Sequence, residues 1–367
     1  MTVWEELLRT PDRLLWERLR RTDRTVVLYG TGNGADKILA VCRAQGIPVR
    51  GVFASDGFRQ GKLYQGMTVE SRQAIFDRYG RERLTVLLAF GSARPEVLNA
   101  VRTLMDETEL LVPDVPAFGD GLFDANFVRL HRAELLAARA LLADDESRRI
   151  FDLTVAAKLT GEAGFLFDAV SDRAQVLRAD IRPETLRTVL DLGAYTGDTV
   201  RELLDAGATP EQVFAVEPDA RTFRKLTDYA AEETRTAVIP VHAAVWDRTE
   251  PLTFAATGNR GATLDCPASP AVRTVEIPGR TGDDILGAAH ADYIKFDVEG
   301  TEARAISGLS QHITADAPTL AVSVYHRCED LFALPLLIHS RFPFYRDFRL
   351  RRSPGLPAWD LELFVRR

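Results

Sequence analysis

Along the chain, apolar residues gather in short unbroken runs, each closed by small or charged residues and followed by a helix-like spacing of apolar positions. The stretch "TVVLYGTGNGADKILAVCRAQGIPVRGVFASD" sets the type: an apolar strand, a glycine turn, a helical pattern and a second apolar strand, a β-α-β unit. Strand-like runs at residues 84–90 and 109–113, with a helical pattern at 94–105, continue the alternation. They predict a small parallel sheet and place an α/β domain at residues 24–115, preceded by an N-terminal helix within residues 1–23.

From residue 127 to 160 the pattern is helical, carried by Leu130, Leu135, Leu136, Leu141 and Leu142, then by Ile150, Leu153, Val155 and Leu159. Two helices are expected in a linker over residues 116–175, the second started by the capping residues of "ADDESRRIF", Asp144, Asp145 and Ser147. Leucine stripes of this kind are ordinarily intramolecular core; a homodimer face is the minority reading. A second alternating region fills residues 176–367, with strands expected at 188–192, 213–217, 237–242, 293–297 and 319–325, and helices at 198–205 and 220–231. The closing runs at 345–350 and 360–365 read as an antiparallel pair. The fold class is therefore α/β: a C-terminal Rossmann-like sheet, mainly parallel with a reversed last strand, and a smaller N-terminal Rossmann-like domain.

Composition changes this picture little, but it removes some partners. The 367 residues carry a formal net charge of -7, which opposes non-specific binding to nucleic acid. The basic run "YRDFRLRR" (Arg346, Arg349, Arg351, Arg352) is the exception, read as a solvated face. Cys42, Cys266 and Cys328 are scattered, without the spacing of a disulfide framework or a zinc site, which fits a reducing cytoplasm. The acidic start "MTVWEELLRTPDRLLWERL" does not read as a signal peptide, and no run approaches the length of a membrane span.

Candidate chemistry sits at the strand ends, where open parallel sheets bind their ligands. In "LDLGAYTGDT" Asp191 closes a strand, and Gly193 and Gly197 allow a sharp turn that brings backbone close to a ligand. The next strand ends in "VFAVEPDA" at Glu217, 24 residues after Gly193, where a carboxylate can accept hydrogen bonds from both hydroxyls of a ribose. The bland alternative makes Glu217 a helix cap, a task open to Asp219 as well. In "YIKFDVEGTE", Lys295, Asp297, Glu299 and Glu302 load charge onto what otherwise reads as a buried strand.

That last stretch resembles the Lys-x-Asp-x-Glu-Gly-x-Glu signature of the FkbM-type S-adenosylmethionine-dependent methyltransferases, with Lys295, Asp297, Glu299, Gly300 and Glu302 all fitting. "LGAYTGDT", "VEPD" and "SVYHRCEDLFALPLLI" are similar to further motifs of the family, as is "RTGDDIL", with Gly282 where Leu is usual. The resemblance covers roughly residues 145–367; the tail "PAWDLELFVRR" departs from the tyrosine-rich ending often seen. It implies methyl transfer from S-adenosylmethionine to a hydroxyl of a saccharide or related natural-product acceptor. Asp191 and the turn of Gly193, Ala194, Tyr195, Thr196, Gly197 and Asp198 would hold the methionine part, Glu217 and Pro218 the ribose, and Asp297 would face the reacting centre. Glu299 and His326 are candidate bases, His326 favoured for its ordinary pKa near neutrality, and Lys295 would pair with an acid. No metal is expected: Asp297, Glu299 and His326 suit Mg or Mn as donor types, but no local ligand spacing supports one.

In the first domain Gly30, Gly32 and Gly34 give Gly-x-Gly-x-Gly, short of the full dinucleotide fingerprint, with Asp56 near the distance of a ribose contact. The stretch resembles the nucleotide-sugar-binding N-terminal domain of bacterial sugar O- and N-acyltransferases, which implies that Gly30, Gly32, Asn33, Gly34 and Asp56 hold a nucleotide-linked sugar. Three other readings stand beside it. One is an NAD-dependent oxidoreductase or epimerase, for which no catalytic Tyr and Lys pair is found. Another is a non-catalytic nucleotide-sugar sensor, and the last is a turn that only packs.

Overall fold

A computed structural model of the protein describes residues 1–55, 58, 60–119, 121–255 and 274–367. Asp56, Cys266 and all of residues 257–270 lie outside the described residues. The described residues build two large sheets joined by helices, and a small third sheet.

The N-terminal sheet holds β1 (Thr25–Tyr29), β2 (Val49–Ala54), β3 (Leu63–Tyr64), β4 (Met67–Ser71), β5 (Leu84–Leu88) and β6 (Glu109–Leu111), in the order β3-β4-β2-β1-β5-β6. All neighbours pair in parallel except β3 and β4. The run "LTVLL" of β5 is buried throughout, as a central strand covered on both faces must be. The short β3/β4 hairpin has too few apolar residues to register in the sequence.

The C-terminal sheet holds β7 (Thr188–Leu192), β8 (Gln212–Val216), β9 (Ala237–Val241), β13 (Tyr293–Phe296), β14 (Thr319–Ser323), β15 (Asp347–Arg352) and β16 (Leu361–Arg366). Their order is β15-β16-β14-β13-β7-β8-β9. From β9 to β14 the pairing is parallel, and β16 runs antiparallel between β14 and β15. A small sheet not anticipated from the sequence, β10 (Ala244–Val245), β11 (Glu250–Ala255) and β12 (Thr274–Arg280), stands beside it. The bounds expected for β7 coincide with those observed, whereas β8, β9, β13 and β14 end one or two residues before the expected ends. Glu217, Asp297 and Tyr325 lie just past the last paired residue of β8, β13 and β14 and are free to face a ligand.

Two expectations are corrected between the sheets. The linker contains four complete helices, Ala125–Leu130, Arg132–Leu141, Asp145–Thr160 and Ala163–Asp168, because His131 breaks the first apolar stripe and Gly161 ends the third helix; Asp144 caps that third helix by accepting the Ser147 N–H (2.7 Å). The N-terminal segment is two helices, Val3–Leu7 and Leu15–Arg21, interrupted at Pro11, where a prolyl nitrogen has no hydrogen to donate. Trp4 enters the large core shared by the linker helices and the C-terminal sheet, whereas Leu15, Trp16 and Leu19 enter the core of the N-terminal sheet. Leu135 and Leu142 are core residues and Leu130 is exposed.

Of the run "YRDFRLRR", Arg346 is exposed as expected, but the later arginines do not form a solvated face. Arg351 and Arg352 on β15 are buried, Arg351 donating from Nε to Asp180 Oδ2 (2.8 Å), while Arg349 reaches Asp180 Oδ1 (3.2 Å). Arg352 is spent on carbonyl oxygens of Leu166, Gly355 and Pro357. Alternation along a strand with both faces covered sends these side chains inward, where only local acceptors make their burial tolerable.

Candidate active site

At the carboxyl edge of the C-terminal sheet lies a cavity of about 480 Å³, between β8, β7, β13, β14 and the connection from β15 to β16. Gly193, Tyr195, Asp198, Glu217, Pro218, Asp297 and Glu299 line it; Asp191, Ala194, Thr196, Gly197 and His326 do not. Residues with no expected role also line it, among them Arg173, Glu202, Tyr325, Ser353, Asp360 and Glu362. Tyr325 stands inside the quoted "SVYH" and Glu362 inside the divergent tail, so only their neighbours in space give them meaning.

The glycine turn works by close approach rather than by offering donors. Gly193 and Gly197 both have φ of +83°. A Cβ on Gly193 would collide with the Asp297 backbone oxygen, and one on Gly197 with the Tyr229 ring. The N–H groups of Gly193 and Ala194 donate to Val216 O (3.0 and 2.9 Å), that of Gly197 to Ala194 O (2.7 Å), and that of Tyr195 to Glu217 Oε2 (3.1 Å). Glycine thus lets β7 lie against the Asp297 loop and brings two strand-end acids to one cavity.

Glu217 does not cap the following helix. Asp219 does so, accepting the N–H groups of Arg221 (3.0 Å) and Thr222 (2.9 Å). Each Glu217 oxygen takes one backbone N–H, Oε1 that of Asp219 (2.8 Å) and Oε2 that of Tyr195. A carboxylate has about four acceptor positions, so one on each oxygen is left for a ligand. Burial pushes its pKa up to about 7.

Asp191 is fully buried, and neither of its oxygens has a hydrogen-bond partner. Burial raises it to about 6, although Lys295 Nζ stands 3.7 Å away. Lys295 also lies 3.3 Å from Asp297 Oδ2. Burial would discharge this lysine, but Asp297, Asp191 and Glu362 outweigh burial and hold its pKa above the ordinary value. Asp297 Oδ1 accepts from Ser323 Oγ (2.9 Å) and Tyr325 OH (3.3 Å). Burial alone would raise Asp297; Lys295 and His326 more than offset it and keep the carboxylate low and ionised.

His326 differs from the ordinary imidazole on which its expected role rested. Its ring is buried, with Nδ1 2.9 Å from Glu302 Oε1 and Nε2 3.4 Å from Glu299 Oε2 and 3.5 Å from Asp297 Oδ1. Burial would lower its pKa, but the three carboxylates outweigh burial and raise it to about 10. At neutral pH it is a cation and has no lone pair with which to take a proton. Glu299 sits at the cavity wall with φ of +56°, a backbone conformation that costs a non-glycine residue energy and that functional sites retain. Among the described residues, Glu302, His326 and Asp330 are the one group whose ligand atoms lie close enough to share a metal ion, within 4.8 Å. The hydrogen bond between His326 Nδ1 and Glu302 occupies that position.

Eight carboxylates line the cavity (Asp198, Glu202, Glu217, Asp219, Asp297, Glu299, Asp360 and Glu362) against Arg173 and Lys295, so the site favours a ligand with positive charge. The N-terminal candidates are elsewhere. Gly30 (φ +118°) and Gly34 are explained by packing, since a Cβ on either would come within 2.8 Å of the Phe90 ring or Ala89 O. Gly32, open on all sides, precedes the helix Asn33–Ala44. None of Gly30, Gly32, Asn33 and Gly34 lines the cavity.

The sheet order, the reversed β16 and an acid-lined cavity at the carboxyl edge define a Rossmann-like methyltransferase fold joined to an N-terminal α/β domain. Residues 191–349 match the family model of the Methyltransferase FkbM domain, and the chain carries such a domain. In fold it is similar to the crystal structure of Methyltransferase FkbM from Methylobacillus flagellatus KT, at 22% identity and a TM-score of 0.70 over 99% of this chain and 97% of that one. A precorrin-6y C5,15-methyltransferase from Geobacter metallireducens GS-15 aligns with 54% of this chain and 91% of its own, at 11% identity and a TM-score of 0.32. No curated protein matches the sequence.

Proposed function

We propose that the protein transfers a methyl group from S-adenosylmethionine to a hydroxyl of a saccharide or related natural-product acceptor. Glu217 carries the reading: a buried carboxylate just past β8 that lines the cavity and whose two oxygens each keep an acceptor position, as a ribose diol requires. The excess of carboxylates around it suits a sulfonium cation. The close approach at Gly193 fits a cofactor lying across the ends of β7 and β8.

S-adenosylmethionine, when bound, supplies a methyl group on a positively charged sulfur. Glu217 accepts from the ribose, and the Tyr195 N–H keeps its carboxylate oriented. Lys295 holds Asp191 and Asp297 in ionised form, and Asp297 offers its fixed negative charge to the reacting centre. An acceptor hydroxyl must lose its proton as the new bond forms, and Glu299, at the wall, takes it. His326 is a positioning residue: as a cation it holds Glu299, Asp297 and Glu302 around one ring.

Calorimetry with S-adenosylhomocysteine and mass spectrometry of a cell-envelope glycan panel after incubation with S-adenosylmethionine test the reading. Glu217→Ala should weaken product binding by about 1.5–3 kcal/mol for each charge-assisted bond lost. Unchanged affinity would remove Glu217 from the site, and binding without transfer to any glycan would overturn the acceptor class.

A further inference from the structure

The connection between β15 and β16 belongs to both halves of the molecule. Its Ser353, Pro354 and Asp360 line the cavity on the side of β14 and β16, across the sheet from Glu217 and the cofactor end. Its Leu356 and Ala358 are buried in the core of the N-terminal domain, among residues of β1, β2 and β5. Leu356 and Ser92, just beyond β5, exchange backbone hydrogen bonds in both directions (2.9 and 3.1 Å). Next to Ser92, Gly91 leaves room for the ring of Trp359, which any Cβ there would strike. On the other flank Arg352 donates to the carbonyls of Gly355 and Pro357, and the Ser353 N–H donates to Asp360 O (3.0 Å). The connection is thus held in place from two sides, and one of them is the N-terminal sheet.

We propose that the N-terminal domain sets the acceptor wall of the cavity, with Gly91, Ser92 and Trp359 as positioning residues that fix where Ser353 and Asp360 stand. This inference rests on the methyl-transfer reading above. The Gly30 to Gly34 turn packs on Ala89 and Phe90, immediately before Gly91, so whatever holds that turn is continuous with the seam. A side chain at position 91 is a steric wedge only, because φ there lies outside the left-handed region.

Gly91→Leu in the full chain tests this, with tritiated S-adenosylmethionine and a cell-envelope glycan extract as acceptor. The apparent KM for the extract should rise about tenfold with kcat within about threefold, and S-adenosylhomocysteine affinity should stay within about twofold. Adding Trp359→Ala opens space for the leucine and should bring KM back to that of Trp359→Ala alone. Amide exchange over residues 353–361 should quicken about tenfold in the single variant, while peptides holding Gly193 and Glu217 keep their rates. Unchanged exchange at 353–361, an equal loss of cofactor affinity, or no recovery in the double variant would overturn the inference. If the wild type methylates nothing in the extract, the acceptor class proposed above falls, and the exchange arm decides the seam by itself.

Discussion

At the residue scale, two groups with displaced pKa values give pH signatures of opposite sense. Glu217, raised to about 7 by burial, must be ionised to accept from a diol, so S-adenosylhomocysteine affinity should weaken as pH falls through about 7. Glu217→Gln should lose that acid limb in calorimetry across a pH series. His326 is displaced upward, from 6.5 to about 10. A histidine raised on folding contributes stability that is fully present below its unfolded value and is lost as pH rises through the folded one. The stability difference between wild type and His326→Gln, measured by urea unfolding, should therefore shrink as pH climbs toward about 10. Both residues were visible in the sequence by type and position. Their protonation was not, because it depends on three carboxylates brought from separate segments around one ring and on how deeply Glu217 is buried.

At the element scale, β15 shows how packing overrides the usual reading of a basic run. Asp180, on the segment entering the C-terminal sheet, is 1% exposed and meets both Arg349 and Arg351. Asp180→Ala should cost about 3 kcal/mol, near the lower end for breaking a buried pair, since Asp144 still accepts from Arg351 (Nη2 to Oδ2, 2.6 Å). The double change Asp180→Leu with Arg351→Met should cost much less, because no charge is left buried alone. Chemical denaturation of the three chains checks both. Strand positions and the Asp144 cap could be read from apolar runs and capping chemistry. The insertion of β16 between β14 and β15, which turns those arginines inward, could not.

At the scale of the whole molecule, buried residues from outside 24–115 complete the core of the N-terminal sheet. Its core includes Ala157, Ala163 and Leu166 from the linker helices and Leu356 and Ala358 from near the C-terminus. Lys158 and Asp114 form a buried pair (2.7 Å) across the same seam. The N-terminal helices add a further tie: Trp4 is wholly buried, and its indole N–H donates to Asp152 (3.0 Å). Trp4→Ala should cost about 3–5 kcal/mol. Intrinsic fluorescence and circular dichroism should report its unfolding at one shared midpoint; a first transition confined to residues 24–115 would show that the halves are independent.

The sequence by itself determined the alternation of strands and helices, the two glycine turns, and the acids at strand ends with their resemblance to a methyltransferase signature. These are local properties, written in periodicity and in residues a few positions apart. Tertiary structure decided the rest. It gave the capping role to Asp219 and left Glu217 to the cavity. It closed the glycine turn against Asp297, charged His326, and placed Ser353 and Asp360 on a wall held by Ser92. Each of these joins residues distant in the chain, and burial, charge and close approach act through space, so their outcome is set only when the sheets have folded.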